Sequence, residues 1–86
     1  MAVLAVSVVS ADQELWSGEA TQLIARTTEG EIGILPGHEP LLAILAKGEV
    51  RVTTADGETV TAIADNGFLS VENNTVTVVA STAELV

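Results

Sequence analysis

His38 is the only imidazole in the 86-residue chain, and Glu39 is the one acid beside it. Such a pair could act as a general base and the carboxylate that orients it. Neighbouring residues on a strand point to opposite faces, so adjacency argues against a joint site. His38 therefore reads as a structural or interface residue. Ser7, Ser10, Ser17, Ser70 and Ser81 are possible nucleophiles. None of them lies in a nucleophile elbow, and a single histidine leaves little scope for a triad. The stretch from Gly30 to Gly37 is glycine-rich like a phosphate loop, but it has neither the Lys-Ser/Thr nor the following helix that such loops need. The carboxylates of the chain are scattered, without the spacing of a calcium loop. With no cysteine, neither a thiolate metal site nor a disulfide framework can form. Glu29 and Glu31, two apart, can share a strand face and make one acidic spot. Trp16 and Phe68 are the whole aromatic content. Stacking platforms for bases use two or three exposed rings, so both read as core or interface packing. No catalytic group, cofactor or metal is expected.

Charge narrows the partners. Twelve carboxylates face Arg26, Lys47 and Arg51, for a net charge of −9. Three scattered cations build no basic patch, which argues against nucleic acid and against an anionic membrane surface. An acidic surface favours solubility and basic partners. No apolar run approaches the roughly 20 residues that span a bilayer. No basic residue precedes Arg26, so neither a signal nor a transit peptide is expected. Residues 1–86 are expected to form one domain, burying roughly 60–65% of the unfolded surface. The absence of cysteine fits a reducing cytosol.

These residues must be held by strands. Val, Ile and Thr abound in short runs separated by turn residues, the pattern of an all-β sandwich or barrel. Between Glu29 and Leu42, five Gly and Pro residues surround the apolar run Ile32 to Leu35, which specifies turn, short strand, turn. Val3 to Ser10 reads as the first strand, with Leu4, Val6 and Val8 on one face, and Ala11-Asp12-Gln13 as a turn. A short piece around Leu15-Trp16 is expected to break at Ser17-Gly18. Ala20 to Thr28 follows, with Leu23 and Ala25 facing away from Gln22, Ile24 and Arg26. Val50 and Val52 lead into an Asp56-Gly57 hairpin that returns along Val60, Ala62 and Ala64. Asp65-Asn66-Gly67 reads as another turn. Leu69 and Val71 should then pair across Asn73-Asn74 with Val76 and Val78, giving a meander. Glu39 to Gly48 is ambiguous. Pro40 and Gly48 sit where a helix likes its start and stop, but the seven-residue run between them is too short to hold alone, and a short buried strand is favoured.

The run Gly30-Glu31-Ile32-Gly33-Ile34-Leu35-Pro36-Gly37-His38-Glu39-Pro40-Leu41-Leu42 resembles the signature loop of the ε subunit of the bacterial F-type ATP synthase. Further motifs match in order and spacing. Val8-Val9-Ser10-Ala11-Asp12 resembles the end of that family's first strand, and Leu15-Trp16-Ser17-Gly18 its second strand and turn. Asn66-Gly67-Phe68-Leu69-Ser70-Val71 is similar to its Gly-Gly-Phe-Leu-x-Val strand, with Asn66 replacing a glycine, and Thr77 to Glu84 to its last strand. The family commonly adds a C-terminal two-helix hairpin linked to inhibition and, in some members, to ATP binding. The sequence to Val86 does not contain it, so neither role is assigned to these residues.

The resemblance implies a flattened two-sheet β-sandwich of about ten short strands at the foot of a rotor's central stalk. It would be a non-catalytic subunit that docks γ onto the c-ring and couples proton or sodium flow to ATP synthesis. It would lie peripherally on the cytoplasmic face of the bacterial plasma membrane, without inserting into it. Glu29, Gly30 and Glu31 would face the basic polar loops of the c-ring. Ser10, His38, Glu39, Leu42 and Ala43 would face γ. Two other classes compete. A ligand-binding or adhesive β-sandwich calls for a secretion signal and clustered exposed aromatics. A small hydrolase calls for a second histidine or a carboxylate pair in a cleft. Calorimetry separates the rotor reading from nucleotide-using alternatives: the chain should show no saturable ATP binding tighter than about 100 μM, equivalent to about −5.5 kcal/mol.

Overall fold

A computed structural model describes residues 2–11 and 13–86. Asp12, at the centre of the expected first turn and at the end of the first matching motif, lies outside the described residues. Six strands follow in order: β1 (Leu4–Ser10), β2 (Gln13–Thr27), β3 (Gly30–Ile34), β4 (Leu41–Thr54), β5 (Thr59–Glu72) and β6 (Thr75–Leu85). The all-β expectation holds, but there are six strands rather than about ten short ones. They form one hydrogen-bonded sheet in the order β1-β6-β5-β4-β2-β3, and β1 also pairs with β2, so the sheet closes on itself. The molecule measures 33 × 23 × 20 Å, elongated rather than flattened.

The lower count has a physical cause: the chain bends at positions where breaks were expected. Ser17-Gly18 does not interrupt β2. Ser17 and Gly18 pair with Ser7 and Val6 of β1, and the missing side chain at Gly18 leaves room for the Trp16 ring, 3.0 Å from where a Cβ would sit. Asp65-Asn66-Gly67 is not a turn either. Asn66 takes φ 59°, yet the β4–β5 register is the same on both sides of it, from Ile44↔Phe68 to Gly48↔Ala64. At Gly67 a Cβ would collide with the Val79 carbonyl oxygen and lie 2.6 Å from the Ala80 Cα. β5 and β6 are thus pressed together at the bend, and only glycine permits it.

Strands therefore change partners along their length. β2 pairs with β1 through Gln13–Ala20, then with β3 and β4 through its C-terminal half, with register shifts between Ala20 and Gln22 and between Ala25 and Thr27. β1 runs parallel to β6, Ala5–Val9 beside Thr75–Val79. The ambiguous segment is strand: β4 is continuous from Leu41 to Thr54. It is longer and less buried than expected. Leu45 is buried, while Leu42 and Ile44 stand in solvent on the outer face, because alternation sends every second residue outward.

The hairpins set the register of the meander. Gly57 N donates to Thr54 O (2.9 Å) and Thr54 N to Glu58 O (2.8 Å), with φ 88° at Gly57. This is a three-residue loop closed by a left-handed glycine, not the two-residue turn that Asp-Gly suggests. Asn73 and Asn74 both take positive φ, and Leu69↔Val78 and Val71↔Val76 pair as read from sequence. The core consists of aliphatic side chains: Leu4, Val6, Val8, Leu23, Ala25, Ile34, Val50, Val52, Leu69, Val71, Val76 and Val78 are all essentially buried. Leu15 and Trp16 pack against it.

Gly67→Ala is the sharpest test of this architecture. It should cost about 3 kcal/mol or more in urea unfolding, at the upper end of overpacking penalties, because the obstacle is backbone that cannot rotate away. A variant within about 0.5 kcal/mol of the parent would show that β5 and β6 do not approach so closely.

Candidate functional site

The acidic turn is built at the β2–β3 junction. Thr27, only 7% exposed, donates through Oγ1 to the Gly30 carbonyl oxygen (2.7 Å) and accepts from the Glu29 N–H (3.1 Å). Gly30 completes the turn at φ 117°, and Thr28 N donates to Ile44 O (3.0 Å), fastening the turn to β4. Glu29, Gly30 and Glu31 are all exposed. They are not a row on one strand face: Glu29 is in the turn and Glu31 is the second residue of β3. Nor is Glu31 a free charge. Its Oε2 lies 3.6 Å from Arg51 Nη2, and Arg51 Nε lies 3.9 Å from Glu49 Oε1. All three side chains are about half exposed, so these contacts orient charge more than they stabilise the fold.

The set Ser10, His38, Glu39, Leu42 and Ala43 is more dispersed. Leu42 is 69% exposed on the outer face of β4, paired with Ser70. Ala43 points to the other face, opposite the buried Leu69. His38 and Glu39 lie in the loop before β4 rather than on a strand, so the alternation argument does not apply to them. His38 Nδ1 donates to the Glu39 backbone oxygen at 2.7 Å, and Gly37 N donates to Asn74 Oδ1 at 2.7 Å, pinning this loop to the β5–β6 hairpin. Ala5 N bonds Asn74 O at the same end of the sheet, whereas Ser10 ends β1 five residues further on. Ser10 and His38 therefore lie toward opposite ends of the strands, with Leu42 between them on the outer face, while alternation along β1 sets Ser10 with the buried Leu4, Val6 and Val8.

What fills that face was not read from the sequence. Strand registers align Val9 with Val79, Val79 with Phe68, and Phe68 with Ile44. Four apolar side chains thus form an outward row across β1, β6, β5 and β4. Ile44 is 58% and Phe68 39% exposed. The row beside it is Ser7, Thr77, Ser70 and Leu42. The hairpin turns would have yielded the Phe68–Val79 pairing, but nothing local announces the parallel pairing that adds Val9. A shallow cleft of about 270 Å³ lies between the acidic turn and the start of β4, lined by Thr27, Glu29, Glu31, Ile32, Leu41 and Ala43, so the two candidate surfaces share a border. Trp16 is half-buried beside a second cleft of about 400 Å³ at the β4–β5 hairpin.

An exposed apolar row thus lies next to an acidic turn on one closed sheet. The family model described as ATP synthase, Delta/Epsilon chain, beta-sandwich domain matches residues 3–86, and the chain belongs to that family. The ATP synthase epsilon chain of Streptomyces avermitilis is 51% identical over 84 residues, covering 98% of this chain and 68% of the relative. That of Micrococcus luteus is 54% identical over 85 residues, covering 99% of this chain and 93% of the relative. Among solved structures, a chain of the Euglena gracilis mitochondrial ATP synthase, in a complex of OSCP, F1 and c-ring, superposes with a TM-score of 0.91 at 26% identity. It covers 99% of this chain, which spans 54% of the Euglena one. A chain of the Tetrahymena thermophila mitochondrial ATP synthase central stalk and c-ring shares the fold, with a TM-score of 0.75 at 16% identity, covering 94% of this chain and 65% of that one.

Thr27→Val keeps the side-chain volume and removes both turn hydrogen bonds. It should cost about 1–2 kcal/mol by chemical denaturation, since a part-buried carbonyl and an N–H lose their partner. Glu31→Gln, which disturbs only an exposed pair, should stay within about 0.5 kcal/mol of the parent.

Proposed function

We propose that residues 1–86 form a single domain that serves as a non-catalytic rotor subunit of an F-type ATP synthase. It lies in the central stalk, peripheral to the membrane on its cytoplasmic face. It holds the γ subunit against the c-ring and so helps couple ion flow to ATP synthesis. The observation that carries this reading is the apolar row Val9–Val79–Phe68–Ile44 bordering the acidic Glu29–Gly30–Glu31 turn. An exposed apolar row suits a stable contact with another subunit of the stalk. An acidic turn suits the basic loops that the family resemblance puts on the ring, where it would contribute orientation and association rate. Family membership and the epsilon-chain names of the relatives support the same assignment. Among the described residues the two aromatic side chains, Trp16 and Phe68, do not form the exposed cluster that the ligand-binding or adhesive alternative calls for.

In this arrangement γ covers Leu42, Ile44 and Phe68, with Ser10 and His38 at the two ends of the contact. Glu39 and Ala43 border it. A closed sheet with few hinges also suits a part that must transmit torque between γ and the ring.

The two contacts separate by salt. Leu42→Asp and Phe68→Asp put a carboxylate into a contact that excludes water. Each should weaken capture of purified γ at least tenfold, about 1.4 kcal/mol, with little relief at high salt. Glu31→Lys should leave γ capture intact but loosen the seat of the domain on γ–c-ring complexes, and the loss should shrink as salt screens it over about 8–10 Å. Undiminished γ capture by a folded Phe68→Asp variant would move the γ contact elsewhere.

A further inference from the structure

Asn66-Gly67 is the only place in the chain where glycine follows asparagine; Asn73 is followed by Asn74, and Asn74 by Thr75. The carboxamide carbon of an asparagine is open to attack by the backbone nitrogen of the next residue. A side chain on that residue crowds the nitrogen, a β-branched one most of all, and glycine leaves it bare. Asn66 is exposed, so base and water reach it. By its neighbour and its exposure, Asn66 is the most reactive of the three asparagines.

The folded sheet withholds that reaction. Ring closure requires the peptide unit between Asn66 and Gly67 to turn until its nitrogen lies against the Asn66 carboxamide carbon. β5 keeps its pairing with β6 on both sides of this unit, Asp65 with Thr82 and Gly67 with Ala80, and Asn66 is held between them at φ 59°. Gly67 lies so close to β6 that even a Cβ would collide with the Val79 carbonyl oxygen, so the peptide unit has no room to turn. The carboxamide is tied too: Asn66 Nδ2 donates to Ser81 Oγ across the strand pair at 3.1 Å.

We infer that Asn66-Gly67 is a succinimide-forming modification site, shut in the closed sheet and live whenever β5 and β6 separate at the bend. The Gly67 nitrogen gives its proton to base and attacks Asn66 Cγ. A C–N bond forms, the Cγ–Nδ2 bond breaks, and the leaving nitrogen takes up a proton and departs as ammonia. Water then opens the five-membered ring. Opening at the Cγ carbonyl gives aspartate, and opening at the α-carbonyl gives isoaspartate. The net change is water in and ammonia out, with no redox step. The isoaspartyl backbone runs through Cβ and Cγ and is longer by a carbon, at the point where β5 and β6 are closest. The bend cannot then be rebuilt in register, so an opening that reacts is not reversed. Chemistry of the opened state thereby converts stability into a lifetime.

The test incubates the chain in mildly alkaline buffer, folded and in urea. Peptide mass spectrometry follows each asparagine, and enzymatic methylation of isoaspartate identifies the product. In urea Asn66 should convert ahead of Asn73 and Asn74. In the folded chain its conversion should be slower by about tenfold or more, because only the locally opened fraction reacts. Asn66→Gly keeps a residue at ease with positive φ, and should fold and show no conversion at this position. Chains carrying isoaspartate at position 66, separated and refolded, should melt below the parent. Equal rates at Asn66 in the folded and unfolded chain would overturn the inference. So would earlier conversion of Asn73 or Asn74 in urea, or a parent-like melting temperature of the isoaspartate form.

Discussion

The close approach of β5 and β6 at Gly67 is the contact on which the rest of the structure depends. With Gly67 against the Val79 carbonyl and Asn66 at positive φ, β5 bends without losing its register to β4 or β6. One strand can then serve both ends of the closed sheet. The bend carries Phe68 to the outer face beside Val79 and leaves Leu69 in the core. A side chain at position 67 would force β5 and β6 apart, and the outward row would lose its alignment.

Closure follows from the same constraint. A core of Ala, Val, Leu and Ile, with Trp16 only at its margin, has little bulk with which to hold separate sheets together. Hydrogen bonding that continues around the ring, through the parallel β1–β6 pair and the antiparallel β1–β2 pair, makes the cohesion directional as well as hydrophobic. The function proposed here needs such a body, with one apolar surface and one acidic corner held at fixed spacing. The Thr27 hydroxyl and the Thr28–Ile44 bond fix the corner to the strand that carries Leu42 and Ile44.

Much of this was legible in the sequence. Strand character, the β4–β5–β6 meander and the pairing across Asn73-Asn74 follow from alternation and turn residues, which act over a few positions. The Glu39–Gly48 segment was decided against its helical propensity because β5 lies alongside it. Ser17-Gly18 and Asp65-Asn66-Gly67 misled for one reason: glycine marks both a turn and a close approach between backbones, and sequence alone does not distinguish them. The closing β1–β6 pair joins residues about seventy positions apart, so neither closure nor the apolar row could be read locally. In the candidate site, Leu42 and the Glu29–Glu31 turn lie on the surface as read. Ala43 faces the other way, and Glu31 already has Arg51 as a neighbour.

The central claim is that two bordering surfaces of this closed sheet are covered by different partners. Backbone hydrogen exchange, compared between the free domain and the domain assembled with γ and c-ring, tests it most directly. Slowed exchange should appear at Leu42–Ile44 and Phe68–Ser70 when γ is added, and extend to Glu29–Gly33 only when the ring is present, with Asp56–Glu58 unchanged in both. Protection centred on the Asp56–Glu58 hairpin and the Trp16 cleft, with Leu42–Ile44 unaffected, would contradict the account.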